Sequence, residues 1–123
     1  MSRNRAKGTA AESIVVRFLA NHGWPFAERR ALSGSKDKGD VTGVPGLVVE
    51  VKSAVRICLP EWLRETTAER NNANADYGIC VIKPKGYGET RIDEWPAVMT
   101  LGALTHLLHA AGYGDQLPEQ ESA

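Results

Sequence analysis

The feature that most constrains this chain is the stretch over residues 39–53, Gly-Asp-Val-Thr-Gly-Val-Pro-Gly-Leu-Val-Val-Glu-Val-Lys-Ser. Leu47, Val48, Val49 and Val51 form a compact β-branched apolar run, the composition of a buried strand. Glu50 and Lys52 interrupt it two positions apart, so both side chains emerge on one face. Gly43-Val44-Pro45-Gly46 has turn composition, and Asp40 and Val41 begin a second extended segment before it. A turn centred on Pro45 makes a hairpin in which Asp40 lies opposite Glu50, with Cβ atoms ~5 Å apart. A slip of one residue would send the two carboxylates to opposite faces.

Two carboxylates facing each other in an apolar strand pair repel and are costly to desolvate. A hard divalent cation removes that conflict, because Mg²⁺ takes one or two carboxylates together with water and phosphate oxygens. Lys52 on the same face adds a point charge able to hold a phosphate or orient a water. The alternative is a surface hairpin with solvated charges and a Glu–Lys pair, which the apolar flanks disfavour.

The remaining segments are read around this core. Residues 1–8 form a basic arm, expected to be mobile. Thr9 begins a helix with a capping box to Glu12 and an apolar stripe of Ile14, Val15, Phe18 and Leu19, ended by Gly23. Glu12 thus has two readings, a cap or a third carboxylate near the hairpin. Residues 24–32 read as a strand broken early by Pro25, with Arg29 and Arg30 on opposite faces. Ser33, Ser35, Lys36 and Lys38 lie in a polar loop that runs into Asp40 and suits phosphate contact. Residues 60–73 read as a helix with Pro60 at its start, Trp62, Leu63, Thr66 and Ala73 inward, and Glu61, Glu65, Glu69 and Arg70 solvated. Residues 77–82 read as a buried central strand. Lys83, Lys85 and Tyr87 form a basic turn that could grip a phosphate backbone or stack on a base. Residues 89–93 read as a short edge strand. Thr100 caps a last helix with Leu101, Leu104, Leu107, Leu108 and Ala111 on one face and Gly112 as its stop. His106 and His109 share a face without partners for a metal. Residues 113–123 read as a disordered tail.

At 123 residues the chain is sized for one domain. Fifteen Lys/Arg balance fifteen Asp/Glu, so net charge does not announce a nucleic-acid partner. The distribution is uneven: residues 1–40 carry eight basic and four acidic side chains, residues 41–123 seven and eleven. A basic region on a neutral chain is enough for phosphate binding. No apolar run approaches the ~20 residues of a membrane span, and the polar start Met-Ser-Arg-Asn-Arg is not a secretion signal. Cys58 and Cys80 form no metal-type cluster and read as free thiols in a reducing cytoplasm, that of a bacterium or a phage-infected host.

In this order, a helix bearing Glu12, the Ser33-Gly34-Ser35-Lys36 loop, Asp40-Val41 and Glu50-Val51-Lys52-Ser53 resemble the PD-(D/E)xK nucleases. With Lys7-Gly-Thr-Ala-Ala-Glu12, His22-Gly23-Trp24 and Arg29-Arg30 they resemble the archaeal-type Holliday junction resolvases and their phage relatives. The match is good over residues 5–55 and weak beyond Lys85, and Gly39 stands where the motif has proline. The resemblance implies an α/β fold with a restriction-endonuclease-like core, a mixed central β-sheet flanked by α-helices, over residues 1–112. It implies a homodimeric, Mg²⁺-dependent endonuclease (Mn²⁺ substituting) that makes paired symmetric nicks in a four-way DNA junction. Asp40, Glu50 and the Val51 carbonyl become the metal ligands, joined by Glu12. Lys52 becomes the group that positions the water and stabilises the phosphorane. Arg30, or its neighbour Arg29, becomes a DNA-contacting arginine, and Ser33 or Ser35 the loop serine near the scissile phosphate; the basic residues Arg5, Lys7, Lys36, Lys38, Lys83 and Lys85, read from the chain itself, complete the expected DNA contacts. Another nuclease on the same core, of flap, single-strand or nicking/restriction type, and a catalytically silent junction-binding protein are the competing readings.

Overall fold

The computed structural model describes residues 3–31 and 37–115, the side chains of residues 3–7 excepted. The elements are α1 (Arg3–Ala20), β1 (Glu28–Arg29), β2 (Val41–Thr42), β3 (Leu47–Lys52), α2 (Leu59–Ala73), β4 (Tyr77–Ile82), a 3-10 helix (Glu89–Glu94), β5 (Ala97–Val98) and α3 (Leu101–Ala110). The architecture is mixed α/β. β3 and β4 pair in parallel, and β5 pairs antiparallel on the other side of β4, so β4 is central as its apolar run predicts. β1 and β2 form a separate two-stranded antiparallel sheet.

Parallel pairing of β3 with β4 needs a long crossover, and α2 supplies it. The strand alternation then sorts side chains between two helical layers. Val49 and Val51 of β3 and Val81 of β4 pack with Ala11 and Val15 of α1. Cys80 and Ile82 of β4 pack with Trp62 of α2. Both faces of β3 are therefore covered, which is why it lacks the polar alternation of a half-exposed strand. Glu50 is in register with Cys80, and Lys52 with Ile82, so both charged residues emerge under α2.

Local chemistry fixes α2. Pro60 occupies its first turn, and Asn74 ends it in the left-handed region at φ 53°, its N–H donating to the Arg70 and Asn71 carbonyls. Gly78 lets the helix lie close: a Cβ there would sit 2.9 Å from Thr66 Cγ2 and 3.3 Å from the Thr66 carbonyl oxygen. Trp62, Thr66 and Glu69 are its buried residues.

Several expectations are corrected. α1 begins at Arg3, so the stretch expected as an arm is helical from there on. Thr9 lies inside that helix: its carbonyl accepts from Ser13 Oγ at 3.0 Å, and it caps nothing. Of the strand expected over residues 24–32, only β1 forms among the described residues, and residue 32 lies outside them. Trp24 N–H is taken by the Leu19 carbonyl and Ala27 N–H by the Trp24 carbonyl, so the chain turns back over the end of α1 before it extends. The hairpin between β2 and β3 is not a ladder. β2 pairs with β1, and the Asp40 N–H reaches the Val49 carbonyl at 2.9 Å. Residues 89–93 are not a strand but a 3-10 helix, held by Arg17–Glu89 and by Arg91 stacked 3.6 Å over the Tyr87 ring; β5 takes the place beside β4.

The cap of α3 forms as read, with Thr100 Oγ1 accepting from the Ala103 N–H at 3.1 Å. Its apolar face does not pack inward. Leu101 is 75 % exposed, Leu104, Leu107 and Leu108 each 38 %, and no residue of α3 is buried. Its polar tie to the sheet is Tyr77 Oη to His106 Nδ1, 2.8 Å. Among the described residues no helix is long and apolar enough to cross a membrane. Of the expected tail, residues 116–123 lie outside the described residues.

The turn between β2 and β3 depends on Gly43, at φ +84°, where an added Cβ would collide with the Phe26 carbonyl. Gly43→Ala therefore combines a left-handed backbone with a main-chain clash, and is expected to destabilise the fold by at least about 2 kcal/mol. Chemical denaturation of the two proteins checks this; an unchanged midpoint would contradict the turn geometry.

Candidate metal centre

Glu50 enters the site because β3 must present its even-numbered residues to α2. It is 7 % exposed, in a layer whose apolar members include Trp62, Cys80 and Ile82. Asp40 enters from the other edge of β3, the edge β4 does not use. Its N–H donates to the Val49 carbonyl and its Oδ2 accepts from the Val51 N–H at 2.8 Å. One residue thus satisfies two main-chain groups that a third ladder strand would otherwise serve, which also fixes its carboxylate beside Glu50.

The structure adds two acids that the sequence reading left out of the site. Glu69, expected on the solvated side of α2, is 4 % exposed. Asp37, in the loop before Asp40, is held in place twice: its Oδ1 accepts from the Gly39 N–H at 2.9 Å, and its carbonyl accepts from Asn72 Nδ2 of α2 at 2.8 Å. Ligand oxygens of Asp37, Glu50 and Glu69 all lie within 4.8 Å of one another. Glu50 Oε2 and Glu69 Oε2 are buried without a hydrogen-bond partner. The signal for Glu69 was in the sequence. Trp62, Thr66, Glu69 and Ala73 follow one helical stripe, and charge alone argued for turning Glu69 outward.

Lys52 stands beside these acids. Its Nζ is 3.6 Å from Glu50 Oε1, 2.7 Å from Glu65 Oε2 and 5.8 Å from the centre of the Trp62 ring. Glu65, also expected to be merely solvated, therefore fixes the ammonium. Burial pulls the Lys52 pKa down, but Glu65 and then Glu50 outweigh it, and the pKa is raised.

The crowding shows in the acidities. Burial first, and then the charge of Glu50, push Asp40 up from 3.8 to about 7, against the lowering effect of the Val51 N–H. Burial first, and then Glu69, push Glu50 up from 4.5 to about 9. Glu69 rises from 4.5 to about 7, mainly by burial, its contact with Glu50 opposing the rise and Asp37 adding to it. Glu50 and Glu69 thus each act on the other's acidity. Cys80, in register with Glu50, is pushed up to about 11 by burial and then by Glu50, so its thiol stays protonated.

The other expected site residues fall as follows. Glu12 is bound to Arg29, Oε2 to Nε 3.0 Å, and Arg29 Nη2 also reaches Thr9 Oγ1 at 3.4 Å. Glu12 still adds to the rise at Asp40 through its charge. Arg30 lies beside the β2–β3 turn in a shallow cavity of about 250 Å³, with its Nε buried and unpartnered. Lys83 follows β4, its N–H donating to the Lys52 carbonyl, so Lys83 and Lys85 leave the sheet at the end where Lys52 lies. Lys38 is exposed beside Asp37. Ser33, Ser35 and Lys36 lie outside the described residues, as do the side chains of Arg5 and Lys7. Tyr87 is half-buried under Arg91 rather than free to stack on a base. Cys58 and Cys80 are free thiols.

Comparison with family models, with curated proteins and with solved structures finds no match.

The donor set consists of carboxylate oxygens, the hard ligands that Mg²⁺ and Mn²⁺ take, and its orphaned buried oxygens fit such a cation. The pH dependence has a definite sign. Between the unfolded values of 3.8 to 4.5 and the folded values of about 7 to 9, the folded metal-free chain holds protons that the unfolded chain has lost. Its stability therefore falls as pH rises through that window. Thermal unfolding with chelator is expected to show a melting temperature that declines from pH 5 to pH 9, and Mg²⁺ is expected to flatten the decline. At pH 8, Glu50→Gln is expected to stabilise the metal-free protein by at least about 1 kcal/mol. A flat or rising profile in chelator would contradict this account of the acids.

Proposed function

We propose that this chain is a divalent-metal-dependent endonuclease acting on branched DNA, with a four-way junction as its substrate. The observation that carries the proposal is the acidic group around Glu50, with Asp40 on one side and Lys52 two residues along the same strand face. That is the Asp…Glu-x-Lys arrangement whose resemblance to PD-(D/E)xK nucleases the sequence displays. The order α1, β2, β3, α2, β4, with β3 and β4 parallel and α2 as crossover, supports reading it as a restriction-endonuclease-like core.

Asp40, Glu50 and the Val51 carbonyl would hold the cation, with Glu12 near enough to act on Asp40 by charge. Bound there, a cation supplies a water acidic enough to attack near neutral pH and neutralises charge on the phosphoryl oxygens. The chain's own residues supply the rest. Asp40 is fixed through one oxygen by the Val51 N–H, which leaves its other oxygen for a cation. Lys52, kept protonated by Glu65 and Glu50, offers a cation to the phosphorane and a donor that orients the water. Glu65 holds that ammonium until a phosphate competes for it. No covalent nucleophile is called for. Arg29, Arg30, Lys38, Lys83 and Lys85 would track the phosphate backbone, with Arg5, Lys7, Ser33, Ser35 and Lys36 expected in the same role from the sequence. A homodimer belongs to the same proposal, because paired symmetric nicks need two sites.

Single-turnover cleavage of an immobile four-way junction, beside linear duplex, flap and single-stranded DNA, tests this. Symmetric paired nicks that need Mg²⁺ and vanish with chelator are expected. Comparable cutting of flaps or single strands would keep the site and discard the junction. Tight junction binding without any cutting would replace catalysis with binding. Asp40→Asn and Glu50→Gln are expected to lower the rate by about 10³-fold or more while junction binding persists, and Lys52→Ala to slow it about 10²-fold. Undiminished Mg²⁺-dependent cutting by either carboxamide variant would refute the assignment.

A further inference from the structure

The cation site proposed above uses Asp40 and Glu50, yet it leaves Glu69 without a role. Glu69 is 4 % exposed, its Oε2 has no hydrogen-bond partner, and it points into the group that contains Glu50 Oε2, also unpartnered. A purely structural position there would carry an apolar residue or a paired one, because an unpaired buried carboxylate is among the more costly groups a core can hold. Asp37 closes the group from the third side. Its loop is tied to α2 by the bond from Asn72, one turn beyond Glu69 on the same helix, which brings the loop acid to the helix acid. The 4.8 Å limit on the separation of the three ligand oxygens suits a common centre with metal–oxygen distances of about 2.0–2.6 Å. Asp40 is not one of the three; its Oδ2 is engaged with the Val51 N–H.

We propose that Asp37, Glu50 and Glu69 form a second divalent-cation position, with Glu50 shared between it and the Asp40 position. The proposal rests on the reading of the Asp40–Glu50 pair as a metal site. It makes α2 part of the centre: the crossover helix delivers a ligand, Glu69, and the residue that fixes the loop, Asn72. It also gives the close packing at Gly78 a purpose, because that approach brings Glu69 down onto β3.

The test is Mn²⁺ binding to the full-length, metal-free chain at pH 8 without DNA, read by electron paramagnetic resonance of free Mn²⁺ and by calorimetry. Wild type is expected to bind two equivalents. Glu69→Gln is expected to lose one, or to weaken it at least about 10-fold. Asp37→Asn, on an exposed loop where folding is not at risk, is expected to do the same. Asp40→Asn is expected to lose the other equivalent, and Glu50→Gln to weaken both. Two equivalents at undiminished affinity in both Glu69→Gln and Asp37→Asn would overturn the second position, as would a single equivalent in wild type. The nuclease reading fails separately: wild type that binds two equivalents but cuts no DNA keeps the paired positions and discards the activity. Wild type that binds no Mn²⁺ overturns both.

Discussion

The register of β3 against β4, with a helix over each face, is the constraint on which the rest depends. Glu50 pairs with Cys80 and Lys52 with Ile82. Val49 and Val51 then fall on the α1 side, among Ala11 and Val15. Move the strand by one residue and a carboxylate and an ammonium enter that apolar layer, while two valines face Glu69. Desolvating the charged pair there without partners would cost several kcal/mol, a large part of the stability of a small domain. The apolar residues therefore set the register, and the register aims the charges. Hydrophobic packing on one face of β3 is what positions the acidic chemistry on the other.

Asp40 shows how the same constraint works at the strand's edge. A strand paired on one side only leaves alternate N–H and C=O groups exposed on the other. Here Asp40 answers the Val49 carbonyl with its own N–H and the Val51 N–H with its carboxylate. The sequence reading placed Asp40 opposite Glu50 by assuming a regular hairpin. The ladder is absent, yet the two acids are still neighbours, because side-chain capping of the edge brings Asp40 to the same place. The turn glycines bend the chain away from a ladder: Gly43 at φ +84° passes against the Phe26 carbonyl, so β2 is drawn to β1.

Much of the frame was legible in the residues because each part had a local cause. Four apolar residues with an embedded Glu-x-Lys gave β3, the apolar run over residues 77–82 gave a central β4, Pro60 started α2 and Thr100 capped α3. What failed were places where a local pattern had more than one tertiary outcome. Thr9 and Glu12 spell a capping box, but the helix runs on N-terminal of them, so Glu12 is released to Arg29. The leucines of α3 specify an apolar face without specifying what lies against it, and among the described residues nothing buries it. Residues 89–93 look extended in composition, yet Arg17 and Tyr87 favour a compact turn. Glu69 was misplaced because charge outweighed periodicity in the reading. The stripe Trp62, Thr66, Glu69, Ala73 was the better guide.

That last error has a physical lesson. A helix that covers a strand bearing Glu50 would be most stable with an alanine or leucine at position 69. It carries a third acid instead, beside a second, and the ammonium of Lys52 is already bound to Glu65. Lys52 cannot neutralise Asp37, Asp40, Glu50 and Glu69 together, and the raised pKa values of the last three register the deficit. Local rules broken in one place, in a core that obeys them elsewhere, are where a chain gives up stability for chemistry. The deficit is one of positive charge, confined to a layer of carboxylate oxygens, and protons fill it only up to about pH 7 to 9. A divalent cation at the proposed site would take the place of those protons, and cation binding and the stability of the β3–α2 layer would then be two readings of one electrostatic balance.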